Sequence, residues 1–186
     1  MENQTARLSS NNAWHYGITT KFFHWVIALL LIGMISLGWY MVSIENQPNS
    51  GWYFDLHKSF GLIVATLILL RVLWWLTQKA APFPRSFPAW QYKIARIIHW
   101  LLYICIIVMP VTGFLGASFS KYGVAFFGLQ LPTWVNQNHA LSEQFFKVHG
   151  VVAWILVTLI SLHVLAALKH LIINKDGVFQ RMWFSK

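Results

Sequence analysis

The stretch that decides the fold is Val148–Ile173, VHGVVAWILVTLISLHVLAALKHLII. Before Lys169 its only polar side chains are His149, Thr158, Ser161 and His163. A hydrocarbon core ~30 Å thick takes roughly 20 apolar residues as a helix, so this stretch reads as a membrane span. Histidine is costly there and faces the bundle interior when it occurs. His149 and His163 lie 14 residues apart. That spacing advances about 1400°, some 40° short of four full turns, so both rings point the same way. The rise is about 21 Å, which leaves one imidazole a few ångströms inside each edge of the core.

Three more stretches are long and apolar enough to span: Phe22–Val42, His57–Thr77 and Ile97–Phe119. Helices are the expected form, because an isolated strand leaves its backbone groups unsatisfied in lipid. The whole chain fits this reading. Of its 186 residues 57% are hydrophobic and 10% charged, where a soluble domain carries about a quarter charged. Tryptophan and tyrosine cluster near span ends (Trp25, Trp39, Tyr40, Trp52, Tyr53, Trp74, Trp75, Trp100) as an aromatic belt. The expected fold is an all-α integral membrane four-helix bundle, one domain over residues 1–186.

A formal charge of +9 raises nucleic acid as a partner. The basic residues lie between apolar runs, on no helix face and in no binding motif, so membrane flanks explain them instead. Arg7, Lys21, Lys79, Arg85, Lys93, Arg96, Lys169, Lys175, Arg181 and Lys186 fall on one side, against Lys58, Lys121 and Lys147 on the other. That asymmetry places both termini in the cytoplasm. The polar start, Met1–Lys21, lacks the pattern of a cleaved signal peptide. The proline-rich connection Ala80–Pro88 should be extended, and the apolar piece Gly123–Val135, too short to span, should lie in the interface. Cys105 alone can form neither an internal disulfide nor an iron–sulfur site, and without C-x-x-C-H there is no covalent haem attachment.

With the N-terminus inside, His24 and His99 fall near the cytoplasmic surface and His57 near the outer one. His57 then matches His149 in depth, and His24 matches His163. Two neutral imidazoles on facing helices are the axial ligands of a low-spin haem. For any single one of these histidines the competing reading is a hydrogen-bonding anchor; two depth-matched pairs on one helix favour ligands. Zinc would require three or four clustered ligands rather than pairs. Arg71, 14 residues after His57 and on its face, is a charge inside a span with no protein carboxylate at its depth. A haem propionate would pair with it; snorkelling to the interface is the alternative. Gly61, one turn past His57, would admit a macrocycle or pack another helix.

The ordered set of features resembles the bacterial cytochrome b561 family, small quinone-linked cytochromes related to the cytochrome b subunits of nickel hydrogenases. It comprises His24-Trp25; His57 with Gly61 and Arg71; His99, Leu102-Tyr103 and Pro110-Val111-Thr112-Gly113; Phe126-Phe127-Gly128-Leu129 to Pro132; His149 and His163; Ala166-Ala167-Leu168-Lys169-His170; and Lys175-Asp176 through Arg181-Met182. The resemblance implies two haem b groups in the bundle, ligated by His24 with His163 and by His57 with His149. His99 and His170 match family positions as additional polar groups. It implies a bacterial inner-membrane oxidoreductase passing electrons between an outer-side donor, with superoxide as one candidate, and membrane ubiquinone. A haem b anchor subunit serving a dehydrogenase or hydrogenase, and a cofactor-free structural or transport protein, are the alternatives. The sequence assigns no role to His139 and names no protein partner.

Overall fold

The structure is a computed structural model and describes residues 16–78 and 88–184. Four long helices dominate it: α1 (Ile18–Ser43), α2 (Ser50–Thr77), α3 (Ala89–Phe119) and α4 (His139–Lys169). All four are long and apolar enough to cross a membrane. Between α3 and α4 lies a two-stranded antiparallel hairpin, β1 (Ala125–Phe126) and β2 (Leu129–Gln130), with Ala125 opposite Gln130. The chain from 16 and the chain to 184 meet at one end of the bundle, where the Tyr16 N–H donates to the Arg181 carbonyl. This is called the terminal end below, and the other the hairpin end.

Each helix extends beyond its expected apolar stretch. The expected starts at Phe22, His57, Ile97 and Val148 become Ile18, Ser50, Ala89 and His139. Hydropathy marks only the part that lipid demands, whereas backbone hydrogen bonding carries a helix on into the polar interface. At the start of α4 the Asn138 side chain accepts from the Leu141 N–H at 3.1 Å and caps the helix. At the other end α4 loosens into a π-turn, His170–Asn174, so its regular part stops short of the expected Ile173. The segment 123–135, expected to lie in the interface, forms the hairpin and an irregular return. Most of the proline-rich connection lies outside the described residues.

The outer surface is apolar, as lipid requires. Leu29, Val151, Trp154 and Ile173 are exposed, while hydroxyls along the spans turn back onto their own helix. Thr66 donates to the Leu62 carbonyl at 2.9 Å and Thr158 to that of Trp154 at 3.0 Å. Inside, Ile27, Val64, Ile68, Cys105, Ile106, Leu156 and Leu159 form one buried layer. The helices do not pack equally. The contact of α3 with α4 is the most extensive, and α1 packs on α2 and α2 on α3. Neither α1 nor α2 approaches α4 comparably. Gly116 explains part of the α3–α4 contact: a Cβ there would stand 2.8 Å from the Phe146 ring.

Candidate functional site

Both expected histidine pairs meet, each across two helices whose backbones are less closely packed than those of α3 and α4. At the terminal end the rings of His24 (α1) and His163 (α4) have centroids 6.2 Å apart. At the hairpin end the rings of His57 (α2) and His149 (α4) lie 6.3 Å apart. An imidazole nitrogen binds a first-row transition metal at about 2.0 Å, so rings at these separations could hold one metal atom between them. The apolar layer around Leu156 and Leu159 lies between the pairs on α4.

The ring nitrogens bear on the fit. His149 Nδ1 lies 3.0 Å from the Met109 carbonyl oxygen. A carbonyl only accepts, so Nδ1 carries the proton and Nε2 keeps its lone pair, the tautomer a metal needs. The Thr112 hydroxyl stands 3.3 Å from the same nitrogen. His57 Nδ1 is buried with no hydrogen-bond partner among the described residues, an orphaned polar atom that packing alone leaves unexplained. Gly38 and Gly113 let the neighbouring helices close on these rings. A Cβ at 38 would lie 3.3 Å from His57 Cε1, and one at 113 would lie 3.0 Å from His149 Cε1. Gly61 instead faces Met34 of α1, at 3.7 Å from its Cβ position, which is helix packing.

At the terminal end Arg71 Nη2 lies 3.4 Å from His24 Nδ1, so the arginine stands at the level of that pair, as its spacing from His57 requires. Its guanidinium also faces the Tyr103 ring at 5.8 Å. His99 joins the same cluster, with its ring 5.2 Å from that of His163. Among the described residues no three His, Cys, Asp or Glu side chains assemble into a group that could hold a metal ion. His170 binds Asp176 Oδ2 through Nδ1 at 2.6 Å, and His139 is exposed at the start of α4.

Sequence reasoning did not reach three features. The first is the carbonyl of Met109, because a backbone acceptor leaves no trace in residue types. The second is Gly113, which entered only as part of a pattern. The third is the tail. Trp25 Nε1 donates to the Met182 carbonyl at 2.8 Å, and the Trp25 and Trp183 rings lie 5.3 Å apart. That contact closes the terminal end over α1, one residue from His24.

Four membrane-length apolar helices with a histidine pair at each end fit the expectation of a small membrane cytochrome. A sequence model of the prokaryotic cytochrome b561 family matches residues 15–185, and the chain belongs to that family. "Cytochrome b561 homolog 2" of Escherichia coli K12 is 30% identical over 178 residues, covering 93% of this chain and 93% of the relative. "Probable superoxide oxidase CybB" of Yersinia pestis is 28% identical over 163 residues, 86% of this chain and 90% of that one. "Cytochrome b561 homolog 1" of Escherichia coli K12 is 28% identical over 174 residues, 88% and 94% of the two chains. Membership implies haem b and electron transfer in a multi-pass membrane protein of a prokaryote.

Proposed function

We propose that the chain holds two haem b groups, one between His24 and His163 and one between His57 and His149, and passes electrons from an outer-side donor to membrane ubiquinone. The observation that carries the reading is the pair of centroid separations, 6.2 and 6.3 Å, one at each end of the bundle. Haem b supplies reversible one-electron transfer there. The chain's own residues set the conditions for it. The four imidazoles fix the two positions, and the layer of Ile27, Val64, Ile68, Leu156 and Leu159 excludes water between them. The lysine and arginine asymmetry supports placement in the inner membrane with both termini cytoplasmic, which puts the hairpin end outside.

Arg71 belongs to the inner site in this reading. A guanidinium only donates, so its contact with His24 Nδ1 needs the proton of that ring on Nε2. A His24 that ligates through Nε2 carries its proton on Nδ1 instead. Arg71 then requires another acceptor, and a haem propionate supplies a carboxylate.

Superoxide is the proposed donor, supported by the name of the Yersinia relative. Lys58 adds little to attracting an anion, because it pairs with Asp55 at 2.7 Å and donates to the Gly123 carbonyl at 3.2 Å. Lys121 and Lys147 carry the remaining outer positive charge. The test uses purified, oxidised protein under a superoxide flux, with a water-soluble ubiquinone analogue added afterwards. The haem bands should appear under superoxide and bleach with quinone. Bands that bleach with quinone after chemical reduction, yet never appear under superoxide, would reassign the donor. In that case the anchor-subunit reading, with a partner dehydrogenase or hydrogenase, takes its place.

A further inference from the structure

The seat of His149 differs from those of His24 and His57, and the difference lies in the backbone of α3. Pro110 stands inside that helix and removes the N–H that would bond the Ile106 carbonyl. Two residues on, buried Thr112 places its hydroxyl 2.8 Å from the Val108 carbonyl and 3.0 Å from that of Met109. The Met109 carbonyl also takes the Nδ1–H of His149 at 3.0 Å. Gly113 makes this approach possible. A Cβ on it would stand 3.0 Å from Cε1 and 3.2 Å from Nδ1 of His149, inside ordinary contact. His57 Nδ1 has no such acceptor among the described residues, and His24 Nδ1 meets a guanidinium instead.

We infer that the Met109–Gly113 stretch is a seat for His149 that makes the hairpin-end haem site the lower-potential one of the two. The inference rests on the reading of His57 and His149 as the ligands of that site. A ring N–H donating to a carbonyl raises the basicity of the opposite nitrogen, and a more basic ligand favours the oxidised metal. At the terminal end the Arg71 cation favours the reduced form. Both effects have one sign, so an electron entering at the hairpin end runs downhill to the terminal end. Thr112 and Gly113 are positioning residues: they act through the Met109 carbonyl and the His149 ring.

Potentiometric titration of the haem-loaded protein tests this with three variants. His24→Ala removes a terminal-end ligand, and the midpoint that survives should be the lower of the two wild-type midpoints. Gly113→Ala pushes the ring away from Met109. That lower midpoint should rise while the upper one keeps its place, because the opposite nitrogen of the ring becomes less basic. Thr112→Val removes a hydroxyl that shares the Met109 carbonyl and stands 3.3 Å from His149 Nδ1, and should move that same midpoint alone. Shifts confined to one midpoint are not expected of a merely structural role. Survival of the upper midpoint in His24→Ala overturns the inference, as does a Thr112→Val titration that superposes on wild type or shifts the upper midpoint. If Gly113→Ala fails to hold its haem, the other two variants still decide. Loss of both haems from His24→Ala would instead refute the ligand pairing, and the seat with it.

Discussion

Arg71 stands within electrostatic reach of three imidazoles, those of His24, His99 and His163. A cation there needs an anion, and on the proposed reading a propionate provides it. Arg71→Leu should therefore lower the midpoint of the terminal-end haem, because the reduced state then meets an uncompensated carboxylate. The other site, about 20 Å away along α4, should shift far less. Equal shifts of both midpoints, or none, would make Arg71 a snorkelling anchor. The histidines divide in the same way. His57→Ala and His149→Ala should lose one and the same spectral component, and His24→Ala and His163→Ala the other, since a bis-histidine site fails when either arm goes. His99→Ala should keep both components. A His99→Ala protein lacking one haem, beside a His24→Ala protein with two, would move the inner ligand from α1 to α3.

At the scale of elements, the α3–α4 contact depends on Gly116. A Cβ at that position would lie 2.8 Å from two carbons of the Phe146 ring, and the Gly116 carbonyl accepts from the buried Ser142 hydroxyl at 2.8 Å. Gly116→Ala should lower stability by about 1–3 kcal/mol, as overpacking does, and thermal unfolding in detergent measures it. An unchanged Tm would mean that the ring moves aside freely. The turn after α4 carries a pH dependence. Partial burial raises the pKa of Asp176, but the His170 ring and the Val178 N–H outweigh it and hold the carboxyl below the usual 3.8. A carboxylate depressed in the folded state stabilises above its unfolded pKa, and that contribution is lost as pH falls through the folded value. Protection of the amides over 176–184, taken relative to the intrinsic exchange rate at each pH, should thus be high near neutrality and fall below about pH 4. Asp176→Asn should show the low protection at pH 7, and equal protection in both proteins would detach this pair from the tail's order.

The number, type and connection of the long helices were legible because lipid leaves so few options. The four histidines and Arg71 stand out in the sequence as polar residues at or inside apolar runs, and the structure brings His24 to His163 and His57 to His149. Helices begin several residues before the apolar stretches, as at Ser50 and Ala89, because hydropathy is silent once a helix leaves the hydrocarbon. The hairpin at 125–130 was invisible in residue types. It is pinned by Ser59, whose buried hydroxyl accepts from the Phe127 N–H at 2.8 Å and donates to the Asp55 carbonyl at 2.6 Å. The Met109 carbonyl was hidden for the same reason: backbone acceptors belong to every residue alike.

For the whole molecule, the proposed reading puts two haem groups in one chain of 186 residues. The helix that carries His149 and His163 serves both ends, and α1 and α2 serve one each. Haem quantitation by the pyridine haemochrome, set against protein mass, tests this most directly. The account predicts two haems b per chain, all extractable by acid acetone because no C-x-x-C-H exists to form thioether bonds, and one haem per chain in His149→Ala. A wild-type value of one, or haem that stays with the protein after extraction, would contradict it.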